Sequence, residues 1–286
     1  MDRTTFLPVK SDVVFRLFFA DERNKEFLIG FLKSVLRLPE EDYDEIEIAD
    51  PHLLREYPDD KLGIIDIKLH TKSRKVVHIE IQLSVTPEMR ERIVFYGAKL
   101  ITEQMGSGDE YGTIRKVISI VITDEKLLPI SLKYHHRFTL YDPEAEIELT
   151  DIMEINTLEL AKLPAGTDGT VLYDWARFIA AESEEELKMI AERNPQVSKA
   201  VVKLRELSAD ERARDLFERR EKERRDIFSL KKWAWQEGLQ EGRQEGRQEG
   251  MLVVARNLLL ADDSTDKIVQ VTGLTHEEVE GLRRSI

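Results

Sequence analysis

Residues 64–83 read IIDIKLHTKSRKVVHIEIQL, two runs of alternating apolar and polar residues around a basic, turn-like middle. Alternation with a period of two marks strands that bury one face, so the stretch is expected to fold as a β-hairpin. With the turn centred on Ser73, positions whose numbers sum to 146 face each other, and Asp66 falls opposite Glu80. One face then carries Ile65, Ile67 and Leu69 against Val77, Ile79, Ile81 and Leu83. The other carries Ile64, Asp66, Lys68 and His70 against Val76, His78, Glu80 and Gln82. Directly opposed like charges on a sheet repel, and pairing either acid with Lys68 or Lys75 would have avoided the cost. A hard divalent cation converts the repulsion into binding, because Mg²⁺ takes carboxylate oxygens. The competing reading is an ordinary hairpin with its polar face in water, His70 and His78 lining that face or the groove.

Outward from the hairpin, residues 1–165 read as mixed α/β. DVVFRLFF and NKEFLIGFLKSVLRL have apolar residues at steps of three and four, as amphipathic helices do. EIEIAD, LGIIDIKLH, KVVHIEIQL and RKVISIVIT read as strands. PEMRERIVFYGAKLITEQM reads as a helix with Pro87 near its first turn and Met89, Ile93, Tyr96, Leu100 and Ile101 along one stripe. KYHHRFTLYD and AEIELTD suggest a further hairpin. The order helix, strands, helix, strand predicts a central mixed sheet flanked by helices.

Near residue 165 the composition shifts. LPAGTDGT is rich in turn formers, and the chain beyond it reads as helical. Ser183 with Glu186, and Ser208 with Glu211, fit capping boxes; Asn194 before Pro195 fits a cap and first helical position. SADERARDLFERREKERRDIFSLKKWAWQEG reads as a solvated helix held by ion pairs at four-residue spacing, with a DNA-tracking helix as the alternative. Gly238, Gly242, Gly246 and Gly250 recur in the Gln-Glu-Gly repeat, which suits either a slanting helical stripe or a flexible linker. DKIVQVTGLTHEEVEGL has the form of a helix-turn-helix, but Glu277, Glu278 and Glu280 make its second helix a poor major-groove reader. The expected organisation is a core over 1–165, a helical region over 166–235, the repeat over 236–250 and a small helical module over 251–286.

The chain of 286 residues has no cysteine, which excludes disulfides and cysteine-based metal sites. Its net charge of -13 argues against bulk attraction to nucleic acid, though not against a local basic groove. MDRTTFLPVKSD does not read as a signal peptide and no apolar run is long enough to span a membrane, so a cytoplasmic location is expected.

An Asp on one strand followed by Glu-x-Gln or Glu-x-Lys on the next resembles the PD-(D/E)XK nuclease site. Several ordered stretches are similar to the Rpn family of recombination-promoting nucleases and transposase-like proteins: KSDVVFRLFF, DIKL, HIEIQL, RERIVFYGAKL, EGRQEGRQEG and DKIVQVTGLTHEEV. The resemblance implies a PD-(D/E)XK nuclease-like α/β core, an all-α C-terminal region and metal-dependent hydrolysis of DNA in recombination or defence. It implies catalytic roles for Asp66, Glu80 and Gln82, with Mg²⁺, or another divalent cation such as Mn²⁺ or Ca²⁺, held by Asp66, Glu80 and the carbonyl of Ile81. Gln82 stands where the pattern usually has Lys. Asp12 is an additional acidic candidate, with helix N-cap as its alternative role. Arg92, Lys68, Arg90 and Lys99 are candidates for DNA-phosphate contact, and Tyr96 for the site edge. DNA and further copies of the chain are the expected partners. A nuclease-fold protein without catalysis and a strand-transferring transposase are the rival readings.

Overall fold

The computed structural model describes residues 6–50 and 66–285; the part of the first hairpin strand before Asp66, Ile64 and Ile65 included, lies outside them. The elements in order are α1 (Asp12–Phe19), α2 (Lys25–Val35), β1 (Glu47–Ala49), β2 (Ile67–His70), β3 (Val76–Gln82), α3 (Met89–Thr102), β4 (Val117–Thr123), β5 (His135–Asp142) and β6 (Ile147–Glu159). There follow α4 (Val171–Ala180), α5 (Glu184–Arg193), α6 (Pro195–Ala209), α7 (Glu211–Leu260), α8 (Thr265–Thr272) and α9 (His276–Arg283). The strands form one mixed sheet in the order β1-β2-β3-β4-β6-β5.

The hairpin has the expected register: Ile67 pairs with Ile79, Lys68 with His78, Leu69 with Val77 and His70 with Val76. Its turn is held from outside the hairpin. Asp42 accepts from the Ser73 amide at 3.1 Å, from Lys75 Nζ at 2.7 Å and from the Thr71 and Ser73 hydroxyls, and Arg74 takes a left-handed φ of 64°.

Both faces of the hairpin are covered. Ile67, Leu69, Val77, Ile79 and Ile81 join the main core with side chains from α1, α2, α4, α5 and α6. There Phe15, Phe18, Phe19, Phe31, Trp175 and Phe178 pack with ring centroids 4.8–6.1 Å apart. The ionisable face lies under α3. After β3 the chain crosses through α3 into β4, which runs parallel to β3. A parallel pair needs such a crossover, and its helix covers the sheet. Met89 and Ile93 therefore bury against Val121, and Leu100 against Val76 and Val117. The polar face is thus not a solvent face: His78 is 0% and Glu80 2% exposed.

The second hairpin forms, but β6 runs on to Glu159 and inserts between β5 and β4, parallel to β4. Its buried Glu154 is held by three donors. Glu154 accepts from Lys116 at 2.8 Å, Arg137 at 2.9 Å and Asn156 at 2.9 Å.

Residues 163–170 form a loop inside one compact unit, which extends to Arg219. The helices beyond that loop supply Trp175, Phe178, Leu187, Val201 and Leu204 to the same core as α1 and α2. Ser183 and Glu186 form a full capping box, and Asn194 caps α6 with Pro195 behind it. Ser208 does not cap α7. It is buried in the last turn of α6, donates to the Leu204 carbonyl and accepts from the Leu7 amide at 2.8 Å. Asp210 takes the capping role, accepting from the Ala213 amide at 2.8 Å.

The second unit spans Arg220–Ile286. The Gln-Glu-Gly repeat is helical throughout, as part of α7. Along α7, Arg219–Asp215 is paired at the expected four-residue spacing, and Arg220–Glu223 and Arg224–Glu221 at three. Ala255, Ile268, Leu274 and Val279 form a small core of its own. The turn between α8 and α9 uses Gly273 at φ 74°, where a side chain would be strained, and Thr275 with Glu278 box the start of α9. Among the described residues, no helix is long and apolar enough to cross a membrane.

Candidate active site

The hairpin register brings Asp66, the residue before β2, beside the end of β3. Asp66 Oδ2 accepts the Ile81 amide at 2.7 Å. Ile81 thus has its side chain in the main core and its main chain at the acid pair. Glu80 points to the α3 side, where its Oε1 accepts from Gln82 Nε2 at 2.6 Å and from the Arg92 guanidinium. Burial pushes the Asp66 carboxyl up to about 7; the Ile81 amide opposes this, while the charges of Glu80 and Asp12 add to it. Burial also raises Glu80, against the charge of Arg92 and hydrogen bonds from Gln82 and Arg92.

Asp12 lies in the first turn of α1, with Ser11 at the cap position, so its alternative role as N-cap is not taken. Its carboxylate accepts from the Val13 amide at 3.0 Å and its field reaches Asp66. Arg16, one turn further along α1, is a neighbour that pattern reading misses; its charge favours ionised Asp66. Its one sequence signal is a lone cation within DVVFRLFF.

Arg92 and Tyr96 share a face of α3, four residues apart, and the guanidinium carbon lies 5.4 Å from the ring centroid. Tyr96 itself packs against Val76, Leu100 and Val117. Lys68 turns toward the far end of α3, where its Nζ is 3.4 Å from Glu103. Arg90 is exposed and Lys99 half-buried on α3. Asp66, Glu80, Gln82, Ile81, Arg92 and Tyr96 are therefore linked by contacts and Asp12 by its charge. Lys68 is engaged with Glu103, and no contact draws Arg90 or Lys99 to the acids.

Among the described residues, neither hairpin histidine joins a metal-ligating cluster. His78 is fully buried, its Nε2 against the Ser119 hydroxyl, and burial pushes it down to about 4, so it is neutral. His70 lines a crevice with Lys68, Glu103 and Gln104.

Among the described residues, no three or more His, Cys, Asp or Glu side chains come together as a ready-made metal cage. The donor set is a carboxylate pair with adjacent main chain. That set fits Mg²⁺, which commonly takes one or two carboxylates and completes its shell with water and substrate phosphate. The pair also lies near the carboxyl end of β3, where a parallel β-α-β arrangement places its ligand crevice.

The model of a family described as PD-(D/E)XK nuclease family transposase matches residues 9–234. No curated protein matches the chain, and no solved structure does. The family match runs from just before α1 into α7, taking in the whole sheet, the acid pair and the helices on both faces. The chain belongs to the PD-(D/E)XK nuclease family transposases.

Proposed function

We propose that the protein is a metal-dependent DNA endonuclease that hydrolyses phosphodiester bonds. The observation that carries this reading is the meeting of a half-buried carboxylate, Asp66, and a buried one, Glu80, beside the end of a central strand. Asp66, Glu80 and the Ile81 carbonyl would hold Mg²⁺, with Mn²⁺ or Ca²⁺ as chemically similar ions. When bound, such a cation polarises a phosphate and lowers the pKa of a water.

The chain's own residues supply the rest. The Ile81 amide fixes one oxygen of Asp66 and leaves the other as a donor. The Gln82 amide fixes Glu80 Oε1. Arg92 offers a guanidinium fork suited to phosphate oxygens, and Asp12 adds negative charge near Asp66. Arg90, Lys99 and Lys68 would give the local positive potential that a chain of net charge -13 otherwise lacks. Supercoiled plasmid tests the reading: it should be nicked with Mg²⁺ and left intact with chelator. Equal conversion in both, or none in either, counts against it.

Gln82→Lys is expected to preserve or raise nicking, because an ammonium at this position adds charge toward the scissile phosphate. An unchanged rate in both Gln82→Lys and Gln82→Ala would mean that the side chain does not act there.

We further infer that the C-terminal helical region promotes homo-oligomerisation, which would present two sites to two strands of opposite polarity. Ile227, Phe228, Leu230, Trp233 and Trp235 are all exposed on α7, a clustering that commonly marks an interaction surface. Light scattering over a concentration series should show a species larger than monomer, and a monomer throughout would refute the inference. Action on the cell's own DNA would place the protein in the cytoplasm.

A further inference from the structure

Glu80 is 2% exposed, yet its Oε1 has two donors, Gln82 Nε2 and Arg92 Nη2. The two donors differ in how firmly they are placed. Gln82 sits on the same strand and face, two residues along. Arg92 comes from α3, keeps 39% of its side chain exposed and lies over the Tyr96 ring. Its Nε is buried without a hydrogen-bond partner. The guanidinium therefore spends only part of its donor set on Glu80 and retains donors for another acceptor.

We propose that Arg92 is a displaceable counter-ion, neutralising Glu80 in the metal-free protein and moving to substrate phosphate when a divalent cation enters at the acid pair. This rests on the reading of Asp66 and Glu80 as metal ligands. Two cations placed on one edge of a buried carboxylate repel, so the entering ion weakens the hold of Glu80 on Arg92. A phosphate that draws Arg92 away leaves Glu80 an uncompensated buried charge and so favours ion entry. The coupling is reciprocal, as linkage requires. The ring of Tyr96 keeps the guanidinium beside the site while its partner changes. Metal-free protein thereby keeps Glu80 from standing as an unscreened buried charge, and the phosphate-binding charge becomes available together with the ion.

Titration calorimetry of Mn²⁺ into the full-length chain tests the proposal. Arg92→Met and Arg92→Gln should each bind Mn²⁺ about tenfold more tightly than the parent, since a charged hydrogen bond on a partly exposed side chain no longer competes. Asp66→Asn should lose the binding. Equal or weaker Mn²⁺ binding in both Arg92 variants overturns the counter-ion role while leaving the metal site standing. Absence of Mn²⁺ binding in the parent and in both variants overturns the metal site itself, and the counter-ion role with it. An independent reading needs no variant. In ¹⁵N-labelled parent protein the Arg92 Nε–H signal should shift as Mg²⁺ is added, with the midpoint found for binding, and a signal that stays fixed through saturation refutes displacement.

Discussion

Asp66→Asn or Glu80→Gln is expected to reduce Mg²⁺-dependent plasmid nicking by at least about 10³-fold, because loss of a ligand forfeits several kcal/mol of transition-state stabilisation. Neither substitution should unfold the chain. In Asp66→Asn the amide oxygen of the new side chain can still accept the Ile81 N–H, as the Asp66 carboxylate does at 2.7 Å. What disappears is a carboxylate that burial pushes up to about 7, with Glu80 and Asp12 adding to the effect. In chelator at neutral pH, Asp66→Asn should therefore raise the thermal midpoint while abolishing cleavage. Opposite changes in stability and activity are the signature of a residue kept for chemistry at the expense of the fold. Parallel losses of both would instead mark Asp66 as a structural residue.

Lys162→Met is expected to destabilise the protein by about 3–5 kcal/mol, the usual cost of stranding a buried charge. Glu159 ends β6 with its side chain 0% exposed, and Lys162, whose side chain is 4% exposed, places its Nζ 2.6 Å from Oε2. The pair also fastens the segment before β5: the Leu128 amide donates to Glu159 at 3.0 Å and Lys162 donates to the Leu128 carbonyl at 2.7 Å. The register Gln82–Thr123–Glu159 places this clamp on the same end of the sheet as the acid pair. A loss of this size is a large share of a typical domain's stability of about 5–15 kcal/mol. Replacing both residues, Glu159→Leu with Lys162→Met, should recover most of it, since no charge is then stranded. Urea midpoints measure both variants. A single variant costing less than about 1 kcal/mol would show that water reaches the pair.

The hairpin was legible because period-two alternation and a turn at Ser73 admit few registers, and a slip of one residue would turn one strand's apolar side chains, Ile67 and Leu69 or Ile79 and Ile81, onto the face that carries Glu80 and His78. The helices α1, α2 and α3 were legible for the same reason, with apolar stripes matching the helical period. The course of β6 was not. Residues 152–159, IMEINTLE, lie in a parallel strand covered on both sides, and a strand so placed has no polar face to alternate with. The burial of His78 and Glu80 depends on which face α3 covers, a tertiary fact that its stripe alone does not contain. Asp42 and Arg16 reach the hairpin from distant segments, and no local spacing points to them. The repeat in α7 was balanced between helix and linker because glycine weakens a helix; the Gln, Glu, Arg and Leu residues that make up the rest of it are good helix formers.

The central claim is that Asp66 and Glu80 jointly hold a divalent cation. An anomalous-difference map from crystals soaked in Mn²⁺ tests it most directly. One strong peak in coordinating contact with both carboxylates, absent from crystals of Asp66→Asn, is the predicted result. A map with no peak at this pair, from protein that nonetheless nicks plasmid with Mn²⁺, would contradict it.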